Sequence, residues 1–177
     1  MLETSTVSSQ AVGAWLPVDE LMTPFAVGFG VTLSSGANLT YGVQYTYDSV
    51  RLQDSLPITS LSRTTTTATL VVPNHGLTAG DSIVVFGAGA PFDGTYAVAT
   101  VVDANTITYT VANSGLTASV VGRCNPLRVF THATVTGKTA AADGSFLAPI
   151  AACRLNVTAF TGGAATLTVR QGVPSSM

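Results

Sequence analysis

Apolar and polar residues alternate along most of this chain, with the two-residue period of half-buried β-strands. Residues 25–33 put Phe25, Val27, Phe29, Val31 and Leu33 on odd positions. Ser34-Ser35-Gly36-Ala37-Asn38 has turn chemistry. Residues 39–48 alternate again, with Tyr41, Val43, Tyr45 and Tyr47 on one side and Gln44, Thr46 and Asp48 on the other. Further strands are predicted at 68–72, 82–86, 95–103 and 106–111. In the third of these Tyr96, Val98, Thr100 and Val102 share a face, and in the fourth Ile107, Tyr109 and Val111 do. Late in the chain, strands are predicted at 127–135, where Arg128, Phe130, His132 and Thr134 alternate, and at 153–159. In a last strand Ala165, Leu167 and Val169 point inward while Thr166, Thr168 and Arg170 point out. A helical period is nowhere sustained. Val18-Asp19-Glu20-Leu21-Met22 is at most one turn.

Gly, Asn, Asp and Pro punctuate these strands, and they organise the chain. Residues 64–121 hold four short strands separated by Asn74-His75-Gly76, Gly87-Ala88-Gly89-Ala90-Pro91 and Asp103-Ala104-Asn105. That is a small antiparallel module in its own right. The strands on either side of it are too few to stand as separate domains. The predicted fold is therefore all-β: an antiparallel, jelly-roll-like β-sandwich with an inserted small β-barrel or β-sandwich module. Residues 23–61 plus 123–173 form the body and 62–122 the insertion, with 51–61 and 122–126 as connections and 136–144 as a loop. Residues 171–177 are a tail. Residues 1–22 begin polar and read as an N-terminal arm, with Trp15, Leu16 and Met22 as candidate interface anchors, because large apolar side chains desolvate well at contacts.

Composition narrows the partners. Charged residues are 9% of the chain and the net charge is −2, against roughly 25% charged in an ordinary soluble domain. One Lys and six Arg make no basic patch, which argues against nucleic acid. No apolar run approaches the ~18 residues of a membrane helix, so no membrane partner is expected. The start Met1-Leu2-Glu3-Thr4-Ser5 lacks the basic region of a secretory signal. So sparse a charge leaves strand edges and Thr/Val faces free to pair with other chains, and a closed homodimer or homotrimer is expected. Cys124 and Cys153 read as reduced thiols, with a disulfide between them left open.

Candidate chemistry is thin. Asp81, Asp93, Asp103 and Asp143 each sit beside turn residues, where a carboxylate bonds the local backbone. His75 belongs to a turn and His132 to a strand, and no His/Cys/Asp spacing resembles a metal site. Gly87-Ala88-Gly89 is followed by no helix and no Lys-Ser/Thr, so it fits no phosphate loop. The sequence nominates no catalytic residue, no metal ligand and no cofactor.

One pattern is more specific: His75-Gly76-Leu77, then Asp81-Ser82-Ile83-Val84-Val85, a Gly-rich turn, Phe92-Asp93-Gly94-Thr95-Tyr96-Ala97-Val98 and Asp103-Ala104-Asn105-Thr106-Ile107-Thr108-Tyr109. It resembles a small β-domain common in virion proteins of tailed bacteriophages, over about a third of the chain. The outer segments, with Val43-Gln44-Tyr45-Thr46-Tyr47-Asp48 early and Leu167-Thr168-Val169-Arg170-Gln171 late, are similar to small head-decoration or cement proteins. The resemblance implies a virion structural protein on the outer head surface, assembled in the host cytoplasm, with the major capsid protein as partner. A collar, tail or head-fibre component is the alternative. A host-surface carbohydrate-binding module is a third reading. It calls for exposed aromatics on loops, for which the sequence offers Phe92 and Phe160.

Overall fold

A computed structural model describes residues 1–172. The chain is all-β and divides into two compact units, one built from 1–47 and the residues from 130 onward, the other from 48–129. Residues 1–47 contribute β1 (Leu2–Val7), β2 (Leu16–Pro17), β3 (Val27–Leu33) and β4 (Asn38–Thr46). Residues 48–129 hold β5 (Leu56–Pro57), β6 (Ser60–Thr64), β7 (Thr67–Val71), β8 (Ser82–Phe86), β9 (Gly94–Ala97), β10 (Thr100–Asp103), β11 (Thr106–Thr110), β12 (Ala118–Ser119) and β13 (Arg123–Leu127). The first unit resumes with β14 (Phe130–Thr131), β15 (Ala142–Phe146), β16 (Ala152–Gly162) and β17 (Ala165–Gln171).

The first unit is a β-sandwich of two four-stranded sheets, ordered β1-β17-β3-β15 and β14-β4-β16-β2. All pairings in them are antiparallel. Its core is the set of alternating positions read from the sequence: Val27, Phe29 and Val31 from β3, Leu39, Tyr41 and Val43 from β4, and Ala165, Leu167 and Val169 from β17. Leu155 and Val157 of β16 pack with them. Burying each such side chain contributes roughly 1.5–3 kcal/mol, so the period-two pattern is itself the main source of stability.

The 48–129 unit has a separate core and two sheets of its own, β10-β11-β7-β6-β12 and β5-β13-β8-β9. Leu70, Ile83, Ile107 and Tyr109 are fully buried in it. Three turns behave as their residues require. The Asp81 carboxylate accepts from the Thr78 amide at 2.8 Å, and that of Asp93 from the Ala88 amide at 2.8 Å. The Asp103 carboxylate accepts from the Asn105 amide at 2.7 Å. His75 is buried as part of its turn: Nδ1 accepts from the Leu77 amide at 3.0 Å, which leaves Nε2–H to donate to the Asp103 carbonyl at 3.1 Å.

Several expectations are corrected. Residues 1–22 are no free arm: β1 pairs with β17 over six residue pairs, and Val7, Leu16 and Val18 lie in the core. An edge strand needs only backbone hydrogen bonds on one side and one inward face, so a polar stretch such as Leu2–Val7 suffices. The division falls at 47/48 and 129/130 rather than at 62 and 122. The expected connections are strands of the 48–129 unit, because Leu56–Pro57 and Arg123–Leu127 pair with each other and β13 with β8. Pro126 is tolerated in β13 because β5 reaches only Arg123 and Cys124, leaving that flank unpaired.

The predicted strand 95–103 is two strands in two different sheets, so alternation ends at Val98 (2% exposed) and Val102 stands 61% exposed. Of the predicted strand 127–135, Leu127 closes β13 and only Phe130–Thr131 form a strand beyond it. The predicted loop 136–144 contains the start of β15, where Asp143 pairs opposite Gly30 instead of capping a turn. Gln171 is no tail residue: it is buried, its Oε1 accepting from the Asp19 amide at 2.9 Å and its Nε2 donating to the Asp19 carbonyl at 2.7 Å. The rest of the expected tail, 173–177, lies outside the described residues.

Candidate functional site

Strand β4 carries a row of side chains on its inward face, and the row outruns the core. Leu39, Tyr41 and Val43 are buried, Tyr45 is half-buried, and Tyr47, just past the strand end, is 50% exposed. β14 sets Phe130 directly across from Tyr45, and the two rings stack with centroids 5.5 Å apart at 27°. Tyr47 meets both edge-on, 5.5 Å from Tyr45 and 5.4 Å from Phe130. Phe130 is 42% exposed. Such offset and edge-to-face pairs hold rings in place, each worth about 0.5–1.5 kcal/mol beyond area burial.

Behind this platform lies a second aromatic group. Phe146 of β15 is 5.3 Å from Tyr45, 5.1 Å from Phe29 and 5.2 Å from His132. His132 also meets Phe29 edge-on at 5.0 Å. Its Nδ1 accepts from the Val135 amide at 3.3 Å, so the proton sits on Nε2, 3.4 Å from the Ser145 carbonyl. Gly144 makes this packing possible: a Cβ there would lie 2.6 Å from the Phe29 ring and 3.3 Å from the His132 ring. Between the two groups a half-open cleft of about 230 Å³ is lined by Tyr45, Tyr47, His132, Ser145, Phe146 and Leu147, the last 83% exposed.

The cleft has no carboxylate, ammonium or guanidinium in its lining. Burial first, then the neighbouring Tyr47 hydroxyl, hold the Tyr45 hydroxyl above its ordinary pKa, so it stays a neutral donor and acceptor. The arrangement offers stacking faces and hydroxyls, which is binding chemistry. Among the described residues no group of three or more His, Cys, Asp or Glu is placed to hold a metal ion. No helix among them is long and apolar enough to cross a membrane.

The residues nominated from the sequence lie elsewhere. Leu16 is 5% exposed inside the first unit's core, so its apolar area is spent on its own sheet. Trp15 is half-buried with the Arg154 guanidinium 4.3 Å over its ring. Arg154 is itself buried and donates Nε–H to Gln44 at 2.9 Å. Burial lowers its pKa to about 10, so it remains a cation in contact with an aromatic face. Met22 is half-buried after a turn in which its amide donates to the Asp19 carbonyl. Phe92 is fully buried in the 48–129 unit and Phe160 is half-buried in β16, so neither is the exposed loop aromatic a glycan module calls for. Tyr47, just past β4, and Phe130 on β14 are the aromatics that stand exposed. Their signal in the sequence was the row Tyr41, Val43, Tyr45, Tyr47 and the Phe130/His132 alternation; what the pattern did not contain was where the core would end. Cys124 and Cys153 are free thiols, each buried in a different unit's core.

No family model matches this sequence, and no curated protein matches it. Among solved structures, a chain of the phage phi92 endosialidase is similar over 64% of this chain and 14% of its own length, with 21% identity and a TM-score of 0.29. The present chain thus spans a small fraction of that one.

Proposed function

We propose that this chain is a structural protein of a tailed-phage particle that works by binding and not by catalysis, and that the aromatic cleft of the first unit is its contact site. The cleft carries the proposal. Tyr47 and Phe130 pack edge to face yet stand 50% and 42% exposed, and no carboxylate lines the cleft. Rigid aromatic anchors left in water are what binding surfaces use, whereas hydrolysis of a glycosidic bond would call for two carboxylates. The phage setting is supported by the residue pattern from His75 to Tyr109 and by the sparse charge. Display on the outer head surface, bound to the major capsid protein and paired with itself, is the placement we favour. Val102, Val120 and Val121, 61%, 79% and 61% exposed, offer the 48–129 unit apolar area for such attachment.

The test uses particles carrying the Tyr47→Ser/Phe130→Ser double variant. Copy number per particle should be unchanged while attachment to host cells falls at least tenfold. A drop in copy number would instead make the cleft the seat on the shell. No change in either would remove the cleft from the function. In wild-type particles, a copy number matching the capsomers places the protein on the head, and one matching a single vertex or tail ring places it at the collar or tail.

A further inference from the structure

We propose that the cleft takes one neutral sugar ring, stacked on Tyr47, which Phe130 braces from outside the lining; this rests on the cleft being the contact site. Four observations converge on it.

The first is ring geometry. Sugar rings present a face of C–H groups, which carry slight positive charge and pack against the negative face of an aromatic ring. Tyr45, Tyr47 and Phe130 form a mutually braced set, one stacked pair at 27° and two steep contacts at 88° and 65°. Their rotamers are already fixed, so little side-chain entropy is lost when a flat ligand lands.

The second is polarity. The lining holds the phenols of Tyr45 and Tyr47 and the His132 imidazole, whose Nε2–H points toward the Ser145 carbonyl at a long 3.4 Å. An aliphatic side chain from a protein partner would displace water from these groups and return no hydrogen bond, which costs affinity. A polyhydroxylated ring satisfies them.

The third is charge. With no Asp, Glu, Lys or Arg in the lining, no lining residue compensates the desolvation of an anionic or cationic ligand. Sialic and uronic acids, phosphates and amines are therefore disfavoured, and the ligand is neutral. The fourth is size. About 230 Å³ falls below the roughly 300–1,000 Å³ typical of sites for drug-sized molecules. It encloses one ring and leaves the rest of an oligosaccharide in solvent.

The experiment titrates the full chain with the methyl glycosides of glucose, galactose, mannose and N-acetylglucosamine. Free sialic acid and glucuronic acid are the charged comparators, and binding is followed by ligand-observed saturation transfer and by tyrosine ring shifts in NMR. At least one neutral glycoside should bind saturably, with Kd on the order of 1 mM or below, and shift the Tyr47 ring. Tyr47→Ala and Phe130→Ser should each weaken it tenfold or more. Tyr47→Phe, which keeps the ring and guards against misfolding, should lose only a few-fold. Failure of every neutral glycoside to shift these rings at tens of millimolar would overturn the proposal, as would tighter binding of the charged sugars or indifference to Tyr47→Ala. If host-cell attachment still depends on Tyr47 and Phe130 while no glycoside binds, the sugar is wrong and the contact site stands. If cell attachment is also indifferent, both fall.

Discussion

The two units use the same materials for different ends. Each packs two antiparallel sheets around one aliphatic core, and each has aromatic side chains at the ends of its strand rows. In the 48–129 unit those rings are enclosed: Phe92 and Tyr109 are fully buried, and Tyr96 covers Tyr109 at 4.6 Å while its hydroxyl donates to the Pro91 carbonyl. In the other unit the row Tyr41, Tyr45, Tyr47 leaves the sandwich and ends in water. An aromatic at the end of a strand therefore means nothing until one knows whether a loop folds over it. The Gly87–Gly94 turn, with its Asp93 cap, folds back and buries Phe92; Tyr47 and Phe130 lack such a cover.

Matched Phe truncations test that contrast most strongly. Phe92→Ala should cost the 48–129 unit about 3–5 kcal/mol, the usual loss for a buried ring. Phe130→Ala should cost the other unit about 1 kcal/mol, because the ring is 42% exposed and loses mainly its ring contacts. With two cores, calorimetry should resolve each loss in its own transition. Equal losses would show that the exposed platform is structural.

Alkaline pH should weaken both units. Burial pushes the thiols of Cys124 and Cys153 from 9.0 up to about 12, so each folded unit holds a proton that the unfolded chain releases. A raised folded pKa stabilises fully below pH 9 and is lost as pH climbs from 9 towards 12. Both melting temperatures should hold flat from pH 7 to 8.5 and then fall. Cys124→Ser and Cys153→Ser should each flatten the decline of one transition only. At pH 8 neither native thiol should react with an alkylating reagent before unfolding.

A smaller effect is expected at Gly144. Gly144→Ala places a methyl 2.6 Å from the Phe29 ring, an overpacking of about 1–3 kcal/mol confined to the first unit. The ring signals of Phe29, His132 and Phe146 should shift together in NMR, and the cleft should loosen. A variant as stable as wild type with unmoved rings would show that the cluster has room to spare.

The smallest effect belongs to the clasp between Asp48 and Arg128, which holds the two ends of the 48–129 unit together. Arg128 is 57% exposed, so Asp48→Asn should cost under about 1 kcal/mol, and the difference should shrink at high salt. The hydrogen bond with Asp48 is the main reason the guanidinium pKa is raised.

What the sequence by itself determined was the strand class and the facing of side chains. Alternation named Val27, Phe29 and Val31, Tyr41 and Val43, Ile107 and Tyr109, and Leu167 and Val169 as inward, and they are, because a pleated strand sends successive side chains to opposite faces whatever surrounds it. Turn chemistry likewise placed Asp81, Asp93 and Asp103 correctly, since a short carboxylate bonds its own neighbourhood. Only the tertiary structure decided which strands share a sheet and where each row leaves the core. Leu2–Val7 is a strand because β17 offers it a backbone edge 160 residues away, and residues 95–103 split because two sheets compete for the same segment. Tyr41 lies inside β4 and is buried, whereas Tyr47, in phase with it but one residue past the strand's end, is half-exposed.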